Sequence, residues 1–202
     1  MRRSLARFEQ AIDDAKALST LHGFLTSTVR GPYAFDDLLR AELAYSVSAF
    51  DKLIHDLVAV GMVETFGGTR KPTPAYLAEP ISMQVHINLV SAGVPPAELV
   101  FQTEVVRKLG FQSFQEPDKV AKGLSLIWDE SNKWVKVANL LGRREDDVRT
   151  ELKLIVGRRN AIVHEADIDP TTGLRASVEA AWVRNSSDFV LALGKAIQQL
   201  VS

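Results

Sequence analysis

Arg158, Arg159, Asn160 and His164 are the densest set of chemically capable side chains in the sequence. An imidazole in water titrates near pH ~6.5, so it can take or give a proton close to neutrality. A guanidinium stays charged and holds two phosphate oxygens in a fork, which a lysine does less specifically. A neutral amide beside them can donate to a phosphate oxygen or fix the imidazole tautomer. The segment is thus equipped to grip a phosphate and move a proton next to it. Competing chemistries lack their residues. There are no cysteines, which removes thiolate nucleophiles, disulfides and thiolate-rich zinc sites. His164-Glu165-Ala166-Asp167-Ile168 begins like a zinc-protease motif but lacks its second histidine. Neither a glycine-rich phosphate loop nor a G-x-S-x-G elbow is present. No metal and no cofactor is therefore expected.

These side chains need a helix to position them, and the stretch Glu145 to Asp169 supplies one. Glu145, Asp146 and Asp147 put negative charge in a first turn and Arg158 and Arg159 put positive charge near the far end, as the helix dipole favours. Val148, Leu152 and Ile155 form an apolar series whose next members are Arg159 and Ile162. A guanidinium on a core-facing stripe must be paired, or must point into a polar cleft or an interface. Asn160 and His164 share one face, about 100° around the helix from Arg159.

Arg159-Asn160-Ala161-Ile162-Val163-His164 resembles the R-N-x-x-x-H form of the motif that marks HEPN domains, small all-helical domains that include many metal-independent ribonucleases. The flanks extend the likeness: Trp134, the Leu140-Leu141-Gly142 turn, Leu152, Ile155-Val156, Arg158 and the run Glu165 to Pro170. They are similar to the RiboL-PSP branch in particular, as is AFDKLIHDLV at residues 49 to 58. The resemblance covers mainly residues 34 to 62 and 117 to 201 and is faint between them.

The resemblance implies a metal-independent endoribonuclease. RNA carries its own nucleophile, the 2′-hydroxyl, so the protein must take that proton, stabilise the phosphorane and protonate the leaving 5′-oxygen. Arg159, Asn160 and His164 are the candidate catalytic residues. One arginine and one histidine are too few for all three tasks, and the family's remedy is a homodimer in which two motif helices face each other across a two-fold axis. Arg158 fits an Arg-x5-His spacing but precedes another arginine rather than the asparagine, so it is assigned to RNA phosphate contact, with a plain surface role as the alternative. Single-stranded RNA is the expected substrate, because in-line attack needs a backbone free to rotate. The products would carry 2′,3′-cyclic phosphate and 5′-hydroxyl ends. Host defence or a toxin-antitoxin pair, with an antitoxin or inhibitor protein as partner, is the setting the resemblance implies. Some HEPN toxins carry a tyrosine two residues after the histidine that a partner enzyme modifies; here Ala166 stands there.

The plainer alternative is that Arg159 pairs with a core carboxylate, Asp51 being the candidate, and His164 caps the helix end. Asp51 and His55 are four residues apart on a predicted helix. They are supporting candidates if Asp51 orients Arg159 or His164, and a local surface pair otherwise. Glu165 either raises the pKa of His164 by proximity or is merely solvated. Trp128, Trp134 and Trp182 could stack bases, but their spacing beside Leu and Val is that of core residues. His22 and His86 are isolated and read as structural.

Around this site the spacing predicts an all-α bundle with any short irregular or β segment between residues 63 and 90. A helix over 3 to 22 ends near Gly23 and forms an N-terminal extension, residues 1 to 30, to a core over 34 to 201 in a single domain. Helices are expected at 34 to 62, 81 to 90, 96 to 108, 118 to 141 with a break at Asp129 to Asn132, and 188 to 201. Gly67 to Pro74 is the likeliest flexible excursion. A formal net charge of −1 argues against a protein that coats nucleic acid, though a local basic cleft remains open through Arg2-Arg3, Arg70-Lys71, Arg107-Lys108, Arg143-Arg144 and Arg158-Arg159. With no membrane-length apolar run and no secretory signal, a cytoplasmic protein is expected. Two other functions compete. One is a non-catalytic HEPN module binding RNA or a protein, with Arg159 and His164 packing a dimer. The other is a helical DNA-binding regulator, with residues 34 to 62 as a winged-helix segment and Gly67-Gly68 as a wing turn.

Overall fold

The longest uninterrupted three-four rhythm of apolar residues in the sequence becomes the central helix of the molecule. The computed structural model describes residues 1 to 202 and contains nine helices: α1 (Arg2–Thr28), α2 (Asp36–Phe66), α3 (Pro74–Leu77), α4 (Met83–Val90), α5 (Ala97–Leu109), α6 (Pro117–Leu124), α7 (Lys133–Leu140), α8 (Glu145–His164) and α9 (Ala180–Val201). It is all-helical, and its one β-bridge joins Ile168 to Arg175. α2 packs against α1, α5, α6, α8 and α9. It can do so because Leu39, Leu43, Val47, Phe50, Leu53, Ile54, Leu57 and Val58 bury on more than one of its sides. No helix is long and apolar enough to cross a membrane.

α1 is woven into the same core rather than appended to it. Phe8 and Ile12 are buried among residues of α2 and α9. A Cβ on Gly194 would stand 2.3 Å from the Phe8 ring and 2.9 Å from Leu53, so the glycine is what allows α1 and α9 to approach. Glu42, completely buried on α2, adds a polar tie: Ser19 of α1 and Ser187 of α9 both donate to its carboxylate, and Ser187 also meets Ser46 at 2.9 Å. Three helices are thereby pinned at one level, with each buried polar atom given a partner.

Several boundaries differ from those expected. α1 runs through Gly23 to Thr28, since one mid-helix glycine costs only about 1 kcal/mol and tertiary packing outweighs it. Between residues 63 and 90 there is no strand: the end of α2, the single turn α3 and the helix α4 occupy it, the last two started by Thr73 and Ser82, whose hydroxyls accept from Tyr76 N–H and Val85 N–H. Gly67 to Pro74 is fastened down rather than loose. Arg70 bonds to Glu64, to the Ile127 carbonyl at 3.1 Å and to the Val201 carbonyl at 2.8 Å, and the buried Thr73 donates to the Ser125 carbonyl. The expected break between α6 and α7 is present but wider than Asp129 to Asn132, since α6 already ends at Leu124 and α7 begins at Lys133. α9 begins eight residues earlier than 188.

Candidate active site

α8 buries Val148, Leu152, Ile155 and Val156, and the same side of the helix continues to Arg159. The guanidinium is half-buried there. Its Nε is sealed from solvent with no partner, and Nη1 donates to the Asn160 side-chain oxygen at 3.1 Å. That bond draws the group around the helix, from the core-facing side toward the face shared by Asn160 and His164. Four other arginines are wholly or partly buried, and each has a carboxylate: Arg40 and Arg158 on Asp167, Arg70 on Glu64, Arg149 on Glu145 and Asp118. Arg159 has none. Since a charge in this position demands compensation, the geometry leaves it an unfilled anion requirement.

His164 closes α8 with its imidazole exposed and makes no side-chain hydrogen bond, so it does not cap the helix. The turn behind it is held by other groups. The N–H groups of Glu165 and Asp167 both reach back to the Ala161 carbonyl, at 3.0 and 2.9 Å. Closing this turn requires left-handed backbone at Ala166 (φ 53°) and Asp167 (φ 60°). For residues with a Cβ this costs roughly 1–2 kcal/mol each, so something must over-determine it. Asp167 does. Buried to 1% exposure, its Oδ2 accepts from Arg40 Nε at 2.7 Å and Arg158 Nη2 at 2.9 Å. Its carbonyl accepts from Ala176 N–H at 2.8 Å. Arg40 and Arg158 then spend further donors on the carbonyls of Ala176 (2.8 Å) and Ser177 (2.9 Å). At the surface, Asp37 joins Arg40 to Arg175, and its hydrogen bond from Arg175 chiefly holds its carboxyl below the usual range. The loop beyond is closed by Asp169, whose carboxylate accepts the N–H groups of Thr171 and Thr172, and these bonds lower its pKa.

Arg158 is therefore not placed as a free phosphate contact: it belongs to the clamp behind His164. Asp51 is likewise not joined to Arg159 or His164. Its Oδ1 accepts from Phe114 N–H at 2.6 Å and its Oδ2 from Gln115 at 3.1 Å, with His55 3.6 Å away. His55 packs on the Phe114 ring at 4.6 Å. The two supporting candidates thus fasten the loop after α5, eleven residues along α2 from Arg40, or about 16 Å of helix. Glu165 is exposed and forms no ion pair with His164. Among the basic pairs, Arg70, Arg107, Lys108, Arg143 and Arg158 each meet a carboxylate, which leaves Arg159 as the inward-lying cation without one.

Sequence reasoning passed over Arg40, Asp37, Asp167 and Arg175. Two signals were present. Arg40 lies between Leu39 and Leu43 on an otherwise apolar stripe, so it needed a carboxylate. Asp167 follows the helix end, where Asp tolerates the left-handed region better than most residues.

The chain matches no protein-family model, no curated protein and no solved structure.

Proposed function

We propose that the chain is a metal-independent endoribonuclease of the HEPN type, acting on single-stranded RNA as a homodimer through α8. The observation that carries this reading is Arg159: a half-buried guanidinium with no carboxylate, tethered to Asn160 on the side of the exposed His164. A phosphodiester supplies the anion it lacks, and no other arginine of comparable burial is left open in this way.

Proton bookkeeping explains why a second copy is needed. One chain brings one imidazole, which cannot take the 2′-hydroxyl proton and give a proton to O5′ in the same step. On the side of α8 that carries His164 lie Gly157, where an added Cβ would meet nothing, and next to it the exposed Leu154. Such a face suits close contact with the same helix of a second chain. In the reaction, a neutral imidazole takes the 2′-hydroxyl proton as O2′ bonds to phosphorus. The bond to O5′ breaks, and the protonated imidazole of the second copy gives its proton to that oxygen. Arg159 stabilises the charge on the equatorial oxygens, and Asn160 holds the guanidinium in place. An inhibitor or antitoxin protein is the partner such an activity calls for in a cell.

The test is incubation of mixed single-stranded RNA with the protein in EDTA, beside His164→Ala, with analysis of the product ends. Cleavage by wild type alone, leaving 2′,3′-cyclic phosphate, is the expected result. Cleavage that survives in His164→Ala, or an inert wild type that is folded and dimeric, overturns the reading.

A further inference from the structure

The three tryptophans are placed differently. Trp134 is buried and gives its indole N–H to the Pro117 carbonyl at 3.0 Å, and Trp128 is half-buried with the Lys133 ammonium 5.7 Å from its ring. Trp182, in the first turn of α9, is 37% exposed. It walls an open cleft of about 280 Å³ whose remaining lining is Arg158, Ser177, Val178 and Glu179. Arg158 is immobilised there by Asp167 and the Ser177 carbonyl. Glu179 is exposed, and its carboxylate has neither a hydrogen-bond donor nor a cation. A flat aromatic wall, a fixed guanidinium and a free carboxylate thus line one space.

This combination favours a base over a phosphate. Arg158 already shares the charge of Asp167, and Glu179 repels an anion, so a phosphate gains little here. Exposed indole offers a stacking surface to any base. The carboxylate then discriminates among bases, because it can only accept. Guanine places N1–H and N2–H side by side on its Watson–Crick edge, matching the two oxygens of one carboxylate. Adenine, cytosine and uracil each set an acceptor beside their donor, which a carboxylate repels.

We propose that Trp182, Glu179 and Arg158 form a guanine subsite for single-stranded RNA, an inference that rests on the ribonuclease reading and gives it a base preference. Arg158 is the chain neighbour of Arg159, so the base held here belongs to a nucleotide close to the phosphate that Arg159 grips.

The experiment measures binding of GMP, AMP, CMP and UMP to the full chain by equilibrium dialysis, for wild type, Glu179→Gln, Trp182→Ala and Trp182→Phe, with cleavage sites mapped on mixed RNA in parallel. GMP is expected to bind roughly tenfold tighter than the others, as one bidentate pair provides. Glu179→Gln, at an exposed side chain without partners, should erase that preference while leaving the fold intact. Trp182→Ala should weaken all four by about tenfold and Trp182→Phe should largely restore them. Equal affinity for the four nucleotides, or a GMP preference that Glu179→Gln leaves untouched, overturns the subsite, whether or not RNA is cut. A Glu179-dependent GMP preference in a protein that never cleaves upholds the subsite and sinks the nuclease reading instead.

Discussion

Two polar clusters built from the same kinds of residue lie on different stretches of the central helix, and they end in opposite states. At Asp51 and His55, the carboxylate oxygens have donors from the 110 to 115 loop and the imidazole packs on Phe114. At the end of α8, the clamp of Arg40, Asp167 and Arg158 stands directly behind a guanidinium with a sealed, partnerless Nε and an imidazole with no bond. A polar cluster whose charge is already met, as Asp51 is by its two donors while His55 only packs on Phe114, has little left to offer a ligand. One that is held rigid but left incomplete has more, and that is the difference between a fastening and a candidate site.

Substitution should separate the two sharply. Arg159→Ala removes a charge that has no carboxylate partner, so thermal stability is expected to stay near that of wild type while the proposed RNA cleavage falls by about 10²–10³-fold. Arg159→Lys should recover only part of this, because an ammonium lacks the fork. A large loss of melting temperature in Arg159→Ala would show that the guanidinium is structural and would erase the contrast with Asp51.

The next largest effect belongs to the clamp. Asp167→Ala leaves Arg40, a buried cation at 6% exposure, with only the solvent-facing Asp37 as a carboxylate partner, and leaves the left-handed turn without its tether. Removing one partner of a buried pair costs about 3–5 kcal/mol, read as a lower urea midpoint. Cleavage should fall too, since the turn carries His164. Asp51→Ala exposes no buried cation and loses two hydrogen bonds to the neighbouring loop, so about 1–3 kcal/mol is expected, with cleavage per folded molecule unchanged. Lost cleavage in folded Asp51→Ala would return Asp51 to the site.

The contrast also marks how far the sequence could be read. α2 and α8 were legible because each carries a long helical rhythm in Leu, Ile and Val, and Arg159 stood out as a cation inside one. The start of α9 was hidden because Ser186 and Ser187 occupy inward positions. They are buried through bonds to the Trp182 carbonyl and to Glu42, which periodicity scores as polar surface. The assignment of Arg158 depended on Asp167, nine residues on, and on Arg40, 127 residues away from it. Spacing along one helix shows which side chains share a face, but not which charge a distant helix will bring to it.

The smallest effect tests the outer rim of the clamp, where Asp37 bridges Arg40 and Arg175 in contact with solvent. The hydrogen bond from Arg175 is the main reason its carboxyl lies below the usual range. A lowered folded-state value means that the contribution to stability is present above the unfolded value, near ~3.9 for Asp, and is lost as pH falls through the lower folded one. For so exposed a pair the contribution is small, because solvent screens it. The urea midpoint of Asp37→Asn should therefore lie slightly below wild type at pH 6, and the two should converge as pH falls below ~3.9 toward the folded value. Added salt should shrink the pH 6 difference while leaving that of Asp167→Ala in place, because screening reaches the rim and not the buried carboxylate. If salt reduced both alike, the clamp would be a surface network, and the rigid backing it gives His164 would be lost with it.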